Sequence, residues 1–223
     1  GSGNSGYLDG DADDAEFSNQ VRNMTSDNSG NVYVADTENR AIRKIDTQGT
    51  VSTYNNGAGN WETELNGPTG MAFDVDGNMY VTEQWQSRIS KIDSSGNVTR
   101  FANPDGQEGN DNGDVYTEAK FQGTEDLAFD TQGNLFVLER NRIRKIEFSG
   151  DAAFTFDFVG DGNWGDQDGS GSDARFGQVN NIVIDSDDNI YFADQAHQRI
   201  KKVTPEGVVT TIAGNGNWGY ADG

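Results

Sequence analysis

The hydrophobic residues of this chain come in short runs that alternate with polar residues and end at Gly, Asn or Asp. One stretch contains four such runs, each three to five residues long and rich in β-branched and aromatic side chains, at 71–73, 79–81, 88–92 and 98–101. Runs of this length and composition, separated by turn residues, predict β-strands. The stretch is therefore predicted to form a four-stranded meander.

The same pattern occurs four times along the chain. The four copies start at Val21, Pro68, Thr124 and Val179. A turn of the form Asp-x-x-Gly-Asn precedes the second strand in three copies, and in the fourth copy Asp188 replaces the Gly. Asp caps such a turn with its side chain, and Gly adopts the positive φ that the turn needs. Each copy is thus predicted to be one structural unit.

A meander repeated in this way cannot bury both of its faces alone, so neighbouring copies must stack. Radial stacking gives an all-β fold, a β-propeller of four four-stranded antiparallel blades. We predict one domain over residues 1–223, with Gly/Asn/Asp-rich linkers between blades at about 17–56, 65–103, 121–160 and 176–214.

Two stretches, GNVYVADTENRAIRKI and DNIYFADQAHQRIKKV, closely resemble the NHL repeat. The Arg-Ile pair of that repeat is present at Arg88, Arg142 and Arg199, whereas the first copy has Ala41. The resemblance implies an NHL β-propeller of the bacterial surface or secreted type, in which these arginines pack on or hydrogen-bond to the neighbouring blade. Such propellers usually close with six blades, so the four copies leave three alternatives: an excerpt of a longer propeller, a compact four-bladed ring, or one unit of a continuous array.

The first and last segments, GSGNSGYLDG and NGNWGYADG, are versions of one linker motif. In the internal copies that linker leads into another blade, and an uncovered blade face is normally capped or paired. We therefore expect end-to-end association with further blades or subunits.

The net charge is strongly negative and excludes two classes of partner. The formal charge is −21, with 37 acidic against 16 basic residues, and the chain has no Cys. Such an excess repels nucleic acid and anionic membrane surfaces, and no apolar run is long enough to cross a membrane. We expect protein or glycan partners and an extracellular or cell-surface location.

The linkers carry exposed-looking aromatic residues with amides and carboxylates around them. Stacking on an indole ring, together with hydrogen bonds from Asn and Asp, is the chemistry of a carbohydrate site. Alternatively, these aromatics cover the loop base, while the linker residues Phe17, Leu65, Phe121 and Phe176 fill the space between blades. The candidate ligand-binding residues are Trp61, Asn163, Trp164 and Trp218 on linkers, and Trp85 after the second strand of its blade.

Acidic runs in two linkers suggest calcium, which prefers crowded carboxylate oxygens on flexible loops. Neither run completes an EF-hand loop, and solvated acidic loops are the alternative. The candidate metal ligands are Asp9, Asp11, Asp13, Asp166, Asp168 and Asp173.

The function predicted from these features is a binding or scaffold module without enzymatic activity. The chain has one histidine, His197, and too many loop carboxylates to nominate an acid–base pair. Two alternatives stay open: a structural subunit of an extracellular filament or oligomer, and a calcium-dependent propeller enzyme like lactonases or lyases. Asn23 and Asn97 begin glycosylation sequons, and Asn97 is the better candidate because it lies in a hairpin turn.

Overall fold

The structure is a computed structural model that describes residues 1–55 and 64–219, and its regular elements are almost all β-strands. The chain divides into two compact units, which are described separately below. The first unit contains Gly1–Asp111 and Val115–Thr124, and the second contains Asn112–Asp114 and Glu125–Gly223. Each unit holds two antiparallel blades.

The first unit contains blades 1 and 2, which are four-stranded sheets with strands in sequence order. The strands of blade 1 are β1 (Val21–Ser26), β2 (Val32–Asp36), β3 (Ala41–Ile45) and β4 (Val51–Thr53). Those of blade 2 are β5 (Pro68–Phe73), β6 (Met79–Glu83), β7 (Arg88–Ile92) and β8 (Val98–Ala102), with a 3-10 turn at Gln84–Gln86.

The second unit contains blades 3 and 4, which are five-stranded sheets. The strands of blade 3 are β9 (Gly113–Asp114), β10 (Asp126–Phe129), β11 (Leu135–Glu139), β12 (Arg142–Ser149) and β13 (Ala152–Val159). Those of blade 4 are β14 (Gly169–Ser170), β15 (Ile182–Ile184), β16 (Ile190–Asp194), β17 (Arg199–Val203) and β18 (Val208–Ala213), with a 3-10 turn at Gly171–Asp173.

The predicted fold class is confirmed: the chain is all-β, with four antiparallel blades of a β-propeller. The fifth strands were not predicted, and they come from the linkers. Strand β9 pairs with β13, and β14 pairs with β18, so each linker hydrogen-bonds along the outer strand of the blade it precedes. In blade 1, Gly10 makes an isolated bridge to Val51 of the outer strand in the same way. The linkers are therefore part of the blades.

Alternation along each strand places one set of apolar side chains on each face of a blade. In the first unit, Tyr33, Ala35 and Ile42 of blade 1 pack against residues of blade 2 such as Met71 and Val81. In the second unit, Phe136, Leu138 and Ile143 of blade 3 pack in the same way against Ile182 and Phe192 of blade 4. Burial of these facing apolar surfaces is the main force that holds paired blades together.

The Asp turns form as predicted. The Oδ1 atom of Asp185 accepts hydrogen bonds from the backbone N–H groups of Asp187 and Asn189, both at 2.9 Å. Asp188, which replaces the Gly of the other copies, adopts φ 62°. Its carboxylate also accepts hydrogen bonds from Thr131 and Gln132 in the facing turn of blade 3.

The role predicted for the Arg-Ile arginines needs a correction. Arg88 donates to Glu83, and Arg142 donates to Glu139, so each guanidinium is bound by its own blade. Arg199 donates to Asp166 in the linker that leads into its own blade. For Arg88 and Arg142 the reason is geometric, because the glutamate at the end of the preceding strand lies directly across the ladder from the arginine.

No helix among residues 1–55 and 64–219 is long and apolar enough to cross a membrane.

Candidate functional site

A group of polar and aromatic side chains surrounds the linker between blades 3 and 4 in the second unit. Trp164 lies on this linker with 61% of its surface exposed, although tryptophan side chains are usually largely buried. Its ring lies 5.7 Å from the ring of His197, measured between centroids, at an interplanar angle of 58°. The contact with His197 fixes one side of the indole ring.

His197 is oriented by a buried carboxylate. The Nδ1 atom of His197 lies 2.9 Å from Oδ2 of Asp194, the last residue of strand β16, whose side chain is fully buried. The same Asp194 oxygen accepts the backbone N–H of Gly177 at 2.9 Å. A carboxylate acceptor at Nδ1 favours the tautomer that carries its proton there. In that tautomer the Nε2 atom is the hydrogen-bond acceptor of the ring.

Asp166 lies next to this pair and connects the linker to strand β17. Its carboxylate accepts a hydrogen bond from Nε of Arg199 at 2.7 Å and lies 3.2 Å from Nζ of Lys201. Partial burial acts to raise the pKa of the Asp166 carboxyl, but hydrogen bonds from Arg199 and Lys201 outweigh it and hold the pKa below its usual value. Asp166 is therefore a carboxylate at neutral pH.

Asp166, Asp194 and His197 form the one group of metal-ligand type among the residues that the structure describes. One possible ligand atom from each residue lies within 4.8 Å of the others. An imidazole nitrogen with two carboxylates suits zinc and similar transition metals better than calcium, which takes six to eight oxygens. Asp166 already has two protein cations as partners, so a metal ion would have to compete with Arg199 and Lys201.

The predicted calcium ligands fall into two separate places. Asp9, Asp11 and Asp13 belong to the first unit, and Asp166, Asp168 and Asp173 belong to the second. In each linker one carboxylate already has a protein partner: Asp9 and Asp168 hydrogen-bond to buried cations. The side chains of Asp11, Asp13 and Asp173 are exposed on the loops. Calcium binding by these residues stays a prediction.

The other predicted ligand-binding residues occupy different surroundings. Asn163 is the neighbour of Trp164, but its side-chain amide donates to Asp161 at 3.0 Å and shapes the loop. Trp218 is 90% exposed beside a cleft in blade 4, and Trp85 in the first unit is 47% exposed with the guanidinium of Arg40 over its ring. The prediction for Trp61 lies outside the described residues.

One functional feature was missed by the sequence reasoning. Strands β3, β12 and β17 each have a fully buried cation at their third position. These cations are Arg43, Arg144 and Lys201. In blades 1 and 4 this cation bonds a linker Asp, and the same Asp also accepts the backbone N–H of Thr53 or Thr211 in the outer strand. The sequence does contain a signal for these buried cations, because a basic residue recurs at the same strand position, on the side that the alternation of the strand directs into the blade.

The two sequon asparagines both lie in the first unit, one in a hairpin turn and one within a strand. Asn97 is exposed, and its side-chain amide donates to Asp93 at 2.9 Å within the hairpin. Asn23 is half-buried in strand β1. Glycosylation at either position stays a prediction.

No family model matches the chain. Over its whole length it is 27% identical to Protein SUPPRESSOR OF QUENCHING 1, chloroplastic, from Arabidopsis thaliana, and it spans 23% of that protein. Similarity to solved structures extends over most of the chain. Virginiamycin B lyase from Staphylococcus aureus is similar with a TM-score of 0.59 and 18% identity, covering 86% of this chain and 55% of that one.

An auxiliary nutrient binding protein from Bacteroides ovatus is similar with a TM-score of 0.59 and 19% identity, covering 96% of this chain and 63% of that one. The chain spans less than two thirds of each of these relatives. These comparisons place the protein in the β-propeller class, with both enzymes and binding proteins among the proteins that share its fold.

The prediction that the chain has no enzymatic activity is contradicted. Besides the Staphylococcus aureus lyase, a streptogramin B lyase is similar with a TM-score of 0.60 and 16% identity. The error came from requiring several histidines of an enzyme on this fold. Likeness at this level of identity shows the fold alone, so it leaves the activity of this chain undefined.

Proposed function

We propose that this chain is a ligand-binding propeller module that holds a neutral carbohydrate against the exposed ring of Trp164. The observation that carries this proposal is that Trp164 is exposed on its linker while its ring contacts the ring of His197. A ring already held in place loses little conformational freedom when a ligand stacks on it. An exposed, fixed aromatic surface is the basic element of a sugar-binding site.

The polar groups around Trp164 suit a hydroxylated ligand. The ring of His197 offers hydrogen bonding beside the indole, and Asp194 fixes its orientation. Arg175, with 46% of its side chain exposed, lies in the same linker and pairs with Asp161. Alternating donors and acceptors beside an apolar surface match the hydroxyl groups and C–H faces of a sugar.

The charge of the chain favours a neutral ligand over an anionic one. With a formal charge of −21, the chain repels phosphorylated or acidic saccharides at long range. Association with a neutral oligosaccharide should therefore depend little on salt concentration. A protein ligand at the same surface is the alternative, and it would be expected to show strong salt dependence if its own surface is charged.

The comparisons support this proposal without defining the ligand. Auxiliary nutrient binding proteins from Bacteroides ovatus and Bacteroides thetaiotaomicron share the fold, the second with a TM-score of 0.56 and 16% identity. We also propose that the blades are NHL repeats and that the protein acts outside the cell or at its surface. The sequence motifs around Arg88, Arg142 and Arg199 support the first of these proposals.

The test is a screen of neutral oligosaccharides followed by titration of Trp164→Ala and Trp164→Phe. The first variant removes the stacking surface and should weaken binding about tenfold or more, and the second should retain most of the affinity. Phe156→Ala is the matched control, because Phe156 is an exposed aromatic residue of the same unit, located on strand β13. Binding that is unaffected by Trp164→Ala would contradict the proposal.

Enzymatic activity is a second candidate function, favoured by the contact between Asp194 and His197. A histidine oriented by a buried carboxylate is a recurring general base, and Trp164 beside it offers a surface for a ring-containing substrate. A virginiamycin B lyase of this fold has been crystallised with Quinupristin, which makes streptogramins the first substrates to assay. Turnover lost in His197→Gln would support this candidate, and absence of turnover in the parent protein would remove it for these substrates.

A further inference from the structure

The first unit contains a cavity between the Asp turns of blades 1 and 2. Its volume is about 330 Å³, which falls at the lower end of the range of small-molecule sites. The wall residues come from the turn after β1, the turn after β5 and the second hairpin of blade 2, and they include Asn28, Gly77 and Ser94. All of them belong to the first unit, whereas Trp164 lies in the second. The cavity is therefore distinct from the carbohydrate site proposed above.

The second unit shows what spans the equivalent place between blades 3 and 4. The carboxylate of Asp188, in the turn of blade 4, accepts the backbone N–H of Thr131 at 2.7 Å and the hydroxyl of Thr131 at 2.8 Å. The Nε2 atom of Gln132 donates to the same carboxylate at 2.6 Å. Asp188 thus ties the turn of blade 4 to the turn of blade 3. We call this contact the turn latch.

The turn latch is missing between blades 1 and 2 because Gly77 stands at the position of Asp188. The counterpart of Thr131 in the turn of blade 1 is Asn28. A Cβ atom added to Gly77 would meet no atom within 4 Å, so the space that a side chain would enter is open. Both Gly77 and Asn28 line the cavity. The cavity therefore lies where the second unit has its latch.

Three aromatic rings line the cavity. The ring of Tyr33 packs edge-on against Tyr54 and Phe73, with centroids 4.9 and 5.0 Å apart. In the second unit, Phe136 and Phe158 form the corresponding pair at 4.9 Å, and these rings carry no hydroxyl group. The first unit thus combines an open cavity with tyrosine hydroxyl groups at its wall.

The polar atoms of the wall offer both acceptors and donors. The hydroxyl of Tyr33 donates to Oδ2 of Asp27 at 3.0 Å, and that of Tyr54 donates to the backbone carbonyl of Asp93 at 3.3 Å. Each hydroxyl oxygen can still accept a hydrogen bond. The Nζ atom of Lys44, 5.9 Å from the centroid of the Tyr33 ring, supplies N–H donors. A ligand hydroxyl can therefore accept from the ammonium and donate to a tyrosine oxygen.

The charges around the cavity favour a neutral ligand. The formal charge of −21 repels anions at long range. The carboxylate of Asp27 already accepts hydrogen bonds from Ser29, Asn31 and Tyr33, so its oxygens are committed to the turn. The ammonium group of Lys44 repels a cation at close range. Neither sign of charge on a ligand is favoured.

We propose that the cavity between the Asp turns of blades 1 and 2 binds a small neutral phenol, a single aromatic ring that carries a hydroxyl group. The ring packs against Tyr33, Tyr54 and Phe73 in the edge-to-face geometry that aromatic rings prefer. The ligand hydroxyl accepts from Lys44 and donates to the hydroxyl oxygen of Tyr54. Burial of the ring supplies most of the affinity, and the hydrogen bonds select the phenol over a plain hydrocarbon.

The first test follows backbone amide signals by ¹H–¹⁵N NMR while phenol is added to the whole chain. We expect saturable shifts at Asn28, Lys44 and Gly77, which line the cavity. Benzoate and benzylamine are the charged comparison compounds, and each should bind more weakly than phenol. No saturable shift at these three residues, or equal affinity for the three compounds, would overturn the proposal.

The second test closes the cavity with the latch of the second unit. Gly77→Asp places a carboxylate opposite the backbone N–H of Asn28, and Asp188 shows that aspartate adopts a positive φ at this turn position. We expect the variant to bind phenol about tenfold more weakly or worse. Gly77→Ala is the matched control, because it has the same backbone strain at φ 82° without the carboxylate, and it should keep the parent affinity. Equal phenol affinities of the two variants, with both folded by NMR, would overturn the proposal.

The third test removes a hydroxyl group without touching a turn. Tyr54→Phe copies Phe158 of blade 3 and should weaken phenol binding about three- to tenfold, the value of one hydrogen bond. Toluene has the ring without the hydroxyl, so its affinity should be the same for the parent and the variant. Equal losses for phenol and toluene, or no loss for phenol, would overturn the assignment of a phenol to this cavity.

Discussion

The Nζ atom of Lys201 lies 2.8 Å from Oδ1 of Asp168, and the other carboxylate oxygen of Asp168 accepts the backbone N–H of Thr211 at 2.8 Å. In blade 1 the same arrangement joins Arg43, Asp9 and Thr53, with distances of 2.7 and 2.9 Å. One linker aspartate thus connects a buried cation to the outer strand of its blade. We call this arrangement the linker clamp.

The linker clamp should be necessary for stability. Asp9→Ala leaves the fully buried guanidinium of Arg43 with fewer acceptors and removes two hydrogen bonds to Thr53. Because Asp9 is half exposed and Asp36 remains as a partner of Arg43, we expect a loss of about 1–3 kcal/mol in the free energy of unfolding. Urea denaturation measures it. Asp14→Ala, at an exposed aspartate of the same linker, is the control and should change stability little.

The Asp turns should make the protein sensitive to acid. The side-chain hydrogen bond from Asn31 is the main cause that lowers the pKa of Asp27 to about 2, from a model-peptide value of 3.8. A folded-state pKa below the unfolded one contributes stability that is fully present above pH 4 and is lost as the pH falls towards 2. Carboxyl carbon NMR should find the pKa of Asp27 near 2, and Asn31→Ala should move it towards 3.8. An unchanged pKa in the variant would contradict this account.

Asp188 should tolerate Gly better than Ala. Its backbone is in the left-handed region at φ 62°, where a Cβ atom costs about 1 kcal/mol. Both substitutions lose the hydrogen bonds to Thr131 and Gln132, so the difference between Asp188→Gly and Asp188→Ala isolates the backbone cost. At the equivalent turn of blade 3, Gly133→Ala should cost a similar amount, because φ is 84° and the added Cβ meets no neighbour. Equal stabilities of the two Asp188 variants would refute the argument.

Calcium binding by the acidic linkers can be decided by a thermal melt with and without a chelator. An ion that binds only the folded state raises Tm by mass action, so chelation should lower Tm by several degrees, about 2–4 °C per kcal/mol for a chain of this size. Asp173→Ala and Asp13→Ala should reduce this difference. A Tm that is unaffected by chelation would contradict calcium binding, and the role shown for Asp9 and Asp168 would then be the linker clamp.

The sequence was sufficient for the blades because the alternation is local and repeated. Turn residues such as Asp185 and Asn189 mark the strand ends directly, and four copies agree with one another. The fifth strands were missed because Gly113 and Gly169 carry no apolar pattern, and their pairing depends on the outer strand of the same blade.

The candidate site was only partly predictable. Trp164 was recognised as a candidate from the composition of its linker, but its contact with His197 joins residues that are far apart in the sequence. Asp166 and Asp168 were interpreted as metal ligands because the sequence does not show that Lys201, in another strand, supplies the cation. Such pairings depend on how the linker lies on the blade, which no local pattern encodes.

The proposed carbohydrate site is tested most directly by the dissociation constant of a neutral oligosaccharide, measured by calorimetry for the parent protein and for Trp164→Ala. The account predicts binding by the parent that depends little on salt, a constant raised about tenfold or more in Trp164→Ala, and an unchanged constant in Phe156→Ala. Equal constants for the parent and Trp164→Ala, with both proteins folded, would contradict it.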